Sequence, residues 1–298
     1  MDVSVVIASI DSAQSIARCL SHLQRSCAGL STELIVVDAS GDGTAGRVRA
    51  LGLDLPLIEH PVGTLAPQLW ADGYRRSTGR VVAFTTGHCL VTPAWASALV
   101  TALDQGATGA GGPLVIGSGT RPLDWGIYFL RYAGFMPQTL GSGRIAGEIA
   151  GDNAAYTREA LDRHMATFDR GFWEIDFHRL VRADGGWLTA VPDAVVEFSR
   201  SFPVRTILRH RFAHGCHFGA GRVRSGARTS WQILLAAPLV PLVLASRAAR
   251  RAASGQSFPR FAASLPWVLT LAGAWALGEA WGACHRNSRT PSGQPSAD

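Results

Sequence analysis

The sequence predicts an α/β protein with a doubly wound, mostly parallel sheet over residues 1–205 and an apolar helical hairpin over residues 231–285. Three observations predict it. Short β-branched runs alternate with segments of helical periodicity through the first ~115 residues, the pattern of a parallel sheet with helices on both faces. Two apolar stretches near the C-terminus are separated by an arginine-rich turn. The charge is also asymmetric: residues 1–200 hold 16 Arg against 20 Asp and Glu, whereas residues 201–298 hold 12 Arg against Glu279 and Asp298.

Val3 to Ile10 is a continuous apolar run, suited to a strand covered on both faces. Asp11-Ser12 then offers a cap for a helix carrying Ile16, Leu20 and Leu23. Leu34 to Val37 reads as a second buried strand, ending in the polar turn Asp38-Ala39-Ser40-Gly41-Asp42-Gly43-Thr44. A strand at Pro56 to Glu59, a helix at Ala66 to Ser77 and a strand at Val81 to Thr85 follow. Thr92-Pro93 starts another helix with Pro at its first position. Asp124 to Tyr132, Arg158 to His164 and Phe172 to Ala183 read as helices, and Val191 to Phe198 as a late strand. The residues from 286 to 298 are polar and expected to be disordered. In sheets of this kind ligands bind at the carboxyl ends of the strands, here Ser9-Ile10-Asp11, Asp38-Ala39-Ser40 and Thr85-Thr86-Gly87-His88.

The five cysteines are widely spaced with no CxxC, which argues against a disulfide framework or a structural zinc site. The N-terminus lacks the basic segment of a signal peptide. Both fit a body kept in the cytoplasm. No glycine-rich phosphate loop of the GxGxxG or GxxxxGK type occurs, and no nucleic-acid motif with aromatic interleaving.

Five segments, in this order, resemble a family 2 glycosyltransferase with the GT-A fold: Val3 to Asp11, Glu33 to Thr44, Gly79 to Phe84, Gly151 to Tyr156 with Arg158, and Trp173 to His178 with Gly185. The resemblance covers residues 3–200. It implies inverting transfer of a sugar from a nucleotide-diphosphate donor to an acceptor hydroxyl. It implies nucleotide-sugar binding by Ser9, Asp11, Asp38, Ser40, Thr86 and His88, and an acceptor side formed by Asp152, Asn153 and Trp173. Asp38 has a competing reading as a cap of the following turn, and Asp11 as a cap of the first helix. Glu174 is the candidate general base, which takes the proton of the attacking hydroxyl, with Asp176 as second candidate. An exposed helical acid is the plain alternative for each.

The departures are chemical. The family usually shows Asp-x-Asp at the metal site, and this chain reads Thr86-Gly87-His88. Mg²⁺ and Mn²⁺ favour carboxylate and phosphate oxygens, so a metal cofactor is doubtful, with His88 the one candidate ligand. Arg211, His214 and Arg222, in a basic segment spanning 206–230, could supply the positive charge for the departing diphosphate instead. A lipid-headgroup contact is the alternative.

Trp231 to Ala245 is apolar but interrupted by Pro238 and Pro241, and too short to span a bilayer; Phe261 to Ala283 is long enough. With Arg247, Arg250, Arg251 and Arg260 between them, a hairpin that dips into one leaflet keeps every arginine on the cytoplasmic face. The expected partners are therefore a nucleotide sugar, a glycan or lipid-linked acceptor of the cell envelope, and membrane lipids, but no nucleic acid. A catalytically inactive relative that binds a partner at the cytoplasmic face of the membrane is the competing expectation.

Overall fold

Val3–Ser9 forms β1, and all seven of its residues are buried. The computed structural model describes residues 1–117, 121–199, 201–253 and 257–285; the expected tail at 286–298 lies outside them. After β1 come α1 (Ile16–Ser26), β2 (Thr32–Asp38), α2 (Thr44–Ala50), β3 (Leu57–Glu59), α3 (Ala66–Arg76), β4 (Val81–Thr86), β5 (Cys89–Val91) and α4 (Trp95–Asp104). Next are β6 (Gly109–Gly111), β7 (Leu114–Ile116), α5 (Pro122–Tyr132), α6 (Pro137–Leu140), β8 (Gly143–Ile145), β9 (Ala154–Thr157), α7 (Arg158–Arg163), α8 (Glu174–Ala183), β10 (Leu188–Ala190) and β11 (Val196–Phe198). The chain continues as helices only: α9 (Val204–Arg224), α10 (Ser230–Ala236), α11 (Val240–Ala253) and α12 (Phe258–Cys284).

The main sheet has the order β3-β2-β1-β4-β9-β6-β10-β8, beside a smaller sheet β5-β11-β7. β3, β2, β1 and β4 are parallel, with Ser9 opposite Asp38 and Ala8 opposite Thr86. Growth of the sheet reverses at β1, which leaves a crevice at the carboxyl ends of β1 and β4 where such folds take ligands. Beyond β4 the sheet is mixed: β9 runs antiparallel to β4 and β6, and β8 antiparallel to β10. An aromatic core of Trp70, Tyr74, Phe84, Tyr156, Phe172 and Phe177 fills one face.

Several expected boundaries shift for visible reasons. Asp11 and Ser12 do not cap α1. The amides of Ser12 and Ala13 are taken by Thr44 Oγ1 and Asp42 Oδ2 from the next loop, so a turn precedes the helix. Pro93 is not the first residue of α4. Thr92 is held to Val195 and Asp193 by its amide and hydroxyl, and the helix begins at Trp95. The late strand is shorter than expected, Val196–Phe198, and α8 starts at Glu174 rather than Phe172.

The chain divides into two units: Met1–Gly117 with Phe135–Arg200, and Ser118–Gly134 with Ser201–Asp298. The second unit therefore recruits α5 from the middle of the sequence. The stretch expected as a basic connector is one continuous 21-residue helix, α9. Pro238 breaks the first apolar stretch: α10 and α11 meet at a 63° bend, because proline lacks the amide needed to continue the ladder. α9 and α12 pack through glycines. A Cβ added to Gly215 would lie 2.2 Å from the Trp275 carbonyl oxygen, to Gly219 2.0 Å from that of Glu279, to Gly278 2.1 Å from that of Phe212, and to Gly282 2.0 Å from that of Cys216. Contacts advance in the same direction along both helices, so the pair is parallel. Only residues without side chains allow backbones this close. Arg222 reaches across to Glu279, which is 3% exposed in its side chain, at 2.6 Å.

Candidate active site

The loops after β1 and β2 are stitched together. The Asp11 amide donates to Ser40 Oγ at 2.7 Å, and the Gly41 amide donates to Asp11 Oδ1 at 3.3 Å. Asp11 has φ 48°, in the left-handed region that an aspartate tolerates better than most residues. Asp38 is 2% exposed, and its carboxylate accepts the Ser40 hydroxyl at 2.6 Å and the Ser40 amide at 3.3 Å. The carboxylate thus closes its own turn. Ser9 is fully buried and its hydroxyl has no hydrogen-bond partner. Of the expected nucleotide residues, Asp11, Asp38 and Ser40 are brought together at one rim, while Ser9 faces the interior.

At the end of β4, Thr86 and His88 are 3% and 6% exposed. Thr86 Oγ1 lies 3.2 Å from His88 Nε2 and 3.1 Å from Cys89 Sγ, and the His88 ring packs edge-on against Phe198. One hydroxyl and one imidazole, bonded to each other among apolar groups, do not fit Mg²⁺ or Mn²⁺, which need several oxygen ligands. Among the described residues no group of three or more His, Cys, Asp or Glu could hold a metal ion.

Glu174 opens α8 at the first turn, where the helix dipole favours a carboxylate. Its Cδ lies 3.3 Å from the point where a Cβ on Gly151 would sit, and the Trp70 ring lies 2.9 Å from the same point. Trp70 is in turn fixed by its indole N–H, which donates to the Thr85 carbonyl oxygen at 2.8 Å. The carboxylate is thus held next to the end of β4, with room that only glycine at 151 leaves open. Asp176 is placed differently. It is 70% exposed and pairs with Arg179 at 2.8 Å. Trp173 precedes the helix, its indole donating to Arg170 O at 3.3 Å.

Asp152 is buried. Asn153 faces the core rather than a solvent-side pocket: its Oδ1 accepts from Trp95 Nε1 at 2.7 Å, and its Nδ2 donates to Pro113 O at 3.2 Å and Ala194 O at 2.8 Å. The side chain expected on the acceptor side is occupied in bracing the two sheets.

The sequence reading missed a buried chain beside Glu174. The Tyr156 hydroxyl lies 2.7 Å from His178 Nε2, His178 Nδ1 bonds Glu148, and Arg182 Nη1 donates to Glu148 Oε1 at 3.1 Å. Burial pushes the Tyr156 phenol well above its ordinary range, helped by the charges of Glu174 and Glu148. Burial likewise lowers His178 against the opposing pull of Glu148. Burial alone would raise Glu148, but the bonds from His178 and Arg182 hold it below its ordinary value. His178 stands four residues after Glu174 on the same helical face, and that spacing was the available signal.

In the second unit, Arg222 is engaged by Glu279, so the expected trio of Arg211, His214 and Arg222 is not one cluster. Burial depresses Arg211 to about 10, with Arg131 acting in the same direction. Burial, then Arg131, Arg211, His210 and His217, push His214 down to about 3. A histidine kept neutral by folding contributes stability that is present above its unfolded pKa of 6.5 and is lost as pH falls toward 3. Melting temperature measured across that window should therefore fall more steeply in the wild type than in His214→Gln. Parallel curves would show that His214 is not the titrating group.

A comparison with curated proteins finds no match. Among solved structures, Staphylococcus aureus TarS 1–349 in complex with UDP aligns over 91% of this chain and 90% of its own, with TM-score 0.51 and 12% identity. TarS 1–349 without ligand aligns over 67% of this chain and 60% of its own (TM-score 0.48, 14% identity), so this chain spans 60% of that relative's length. The mannosyltransferase PcManGT from Pyrobaculum calidifontis, in complex with GDP-Man and Mn²⁺, aligns over 88% of this chain and 73% of its own, with TM-score 0.49 and 22% identity. The sheet and its crossovers are of the GT-A type, with an apolar C-terminal helix appended. The model of Glycosyl transferase family 2 matches residues 4–165, more than half of the sequence, and the chain belongs to that family.

Proposed function

We propose that the protein transfers a sugar from a nucleotide-diphosphate donor to the hydroxyl of a glycan or lipid-linked acceptor, with inversion, at the cytoplasmic face of the membrane. The observation that carries this is the placement of Glu174 against Gly151 and Trp70 at the carboxyl end of β4. In direct displacement, Glu174 removes the acceptor's proton as its oxygen attacks the anomeric carbon, and the nucleoside diphosphate leaves. The Asp11–Asp38–Ser40 rim, where the loops after β1 and β2 are tied together, supports donor binding by its place at the carboxyl ends of the strands. Asp152, which follows Gly151, and Trp173, which precedes Glu174, remain the proposed acceptor-side residues, and Asp176, exposed and paired with Arg179, is not proposed as the base.

The membrane reading rests on the second unit. Trp231, Leu235, Leu239 and Leu242 are each at least 60% exposed on α10 and around the bend, while Arg247 and Arg250 are exposed further along α11. An apolar face followed by cations suits a helix lying in the headgroup region. α12 is long and apolar enough to cross a bilayer. However, it packs along α9, whose Arg and His residues would have to cross with it, and this favours the in-plane arrangement.

The altered segment at 86–88 favours a second reading, a non-catalytic relative. Calorimetry with a panel of nucleotide sugars, with and without Mn²⁺, separates the two. Binding of one donor with affinity indifferent to Mn²⁺ is the expected result. Failure of every donor to bind would favour the non-catalytic partner.

A further inference from the structure

Residues 147–151 lead from β8 into the tight turn Gly151–Asn153 that precedes β9. They lie along α8 and run in the opposite direction to it. Gly151 stands at Glu174, in the first turn of the helix. Glu148 stands further along, between His178 and Arg182, and the Gly147 carbonyl accepts from Arg182 Nη2. Glu174, His178 and Arg182 follow one another at four-residue spacing, which puts them along one side of the helix. The segment is thus a strap laid over that side. Its middle is fixed to the sheet: Ile149 is 1% exposed, and its Cβ lies 2.7 Å from where a Cβ on Gly111 of β6 would sit.

The two oxygens of Glu148 have separate partners. Oε2 meets His178 Nδ1, and Oε1 accepts from Arg182 Nη1 at 3.1 Å. The His178 side chain is fully buried, and its Nε2 lies 2.7 Å from the Tyr156 hydroxyl of β9. β9 pairs with β4, so one chain of bonds ties the strap to α8 and α8 to the sheet. A neutral His178 satisfies both of its ring nitrogens there: Nδ1–H donates to Glu148, and Nε2 accepts from Tyr156. Burial works against the charge on Glu148, but its bonds to His178 and Arg182 outweigh it. An ionised carboxylate accepts through both oxygens. A glutamine amide accepts through one and turns N–H groups toward the second donor.

We infer that Glu148 is a positioning residue for the transfer: it clamps the strap to α8 and so holds Gly151 against the Glu174 carboxylate. The inference rests on the reading of Glu174 as the general base. Glu148 bonds the helix at His178 and Arg182, beyond Glu174, so it acts through the strap and not on the reacting atoms. Misplacement by about 1 Å can cost about 10²-fold in rate, which is why such a clamp matters for the reaction more than for folding.

Turnover of the full chain, read as release of nucleoside diphosphate, tests this in a double-mutant cycle. Glu148→Gln should lose about 10- to 100-fold in kcat, with donor affinity unchanged by calorimetry. Combined with Glu174→Gln, it should deepen that variant's loss by no more than about twofold, because the clamp then has no carboxylate left to position. Damage to the fold would instead multiply the two losses and weaken donor binding. Arg182→Gln is the second variant, and it keeps the test open if Glu148→Gln does not fold. It frees the Gly147 carbonyl and one oxygen of Glu148 from a side chain that is 32% exposed. Its kcat should fall in the same sense, again with donor affinity unchanged. Arg179→Gln, exposed on the same helix and paired with Asp176, should keep the wild-type kcat.

The inference is overturned if Glu148→Gln and Arg182→Gln keep the wild-type kcat while Glu174→Gln is impaired, or if the losses of Glu148→Gln and Glu174→Gln multiply. Both results leave Glu174 as the base. Full turnover by Glu174→Gln is a different pattern: it removes the base itself, and the positioning role with it.

Discussion

Glu174→Gln is expected to reduce turnover by about 10²–10⁴-fold, the usual contribution of a positioned general base, with donor affinity unchanged. Glutamine keeps the size and hydrogen-bonding reach of the side chain, so the contacts with Gly151 and Trp70 should persist and the fold should not change. What it loses is the capacity to accept a proton. Release of nucleoside diphosphate by the donor that calorimetry selects, with water or a simple alcohol as acceptor, measures the effect before the natural acceptor is identified. The acidic limb of the rate–pH profile should disappear with the carboxylate. Asp176→Asn, on the same helix, should behave as wild type because that carboxylate is exposed and paired with Arg179. A Glu174→Gln enzyme that keeps more than about a tenth of wild-type turnover would lie outside the range for a general base and move the role elsewhere.

Gly278→Val should unfold the second unit's central helix pair. The first added carbon would meet the Phe212 carbonyl oxygen at 2.1 Å, and that oxygen belongs to a helix backbone that cannot rotate away. The helices would have to part by about 1 Å or more, in packing where far smaller changes are felt. Separation would also weaken the Arg222–Glu279 bond and leave Glu279 buried without its partner. Breaking a buried pair costs about 3–5 kcal/mol before any loss of packing is added. At the usual conversion this lowers the melting temperature by about 10 °C. Gly221→Ala is the control, since nothing lies within 4 Å of the added carbon there. Equal melting of the two variants would mean that α9 and α12 are not packed at this distance.

The strands most legible in the sequence were those with an uninterrupted apolar run. β1 and β4 qualify because a strand covered on both faces needs no polar position. β8 and β10 are three residues each and carry no such signature, and α2 was hidden by the glycine-rich turn before it. Glu174 was legible as an acid at the head of a helix, but Gly151 and Trp70 as its setting were not, since they lie far from it in the chain. The bracing by Asn153 was not legible, since Trp95, Pro113 and Ala194, the partners of its side chain, lie far from it in the chain. Gly215-x-x-x-Gly219 and Gly278-x-x-x-Gly282 were readable as close-packing motifs. Length and hydropathy by themselves point to a hairpin at 231–285 and leave 206–230 as a connector, because neither registers glycine spacing.

The interleaving of the two units has a consequence for biosynthesis. α5 is buried by α12: the Phe129 and Phe261 rings lie 5.5 Å apart, and Gly126 abuts Trp267. Tyr132 leaves the ribosome well before Phe258, with the rest of the α/β unit still to be made in between. At translation rates of about 5–20 residues per second, α5 waits roughly 6–25 s for its cover. During that wait Ile127 and Phe129 are exposed on the nascent chain. The hazard of aggregation therefore falls during elongation, and a chain halted before α12 would carry it permanently.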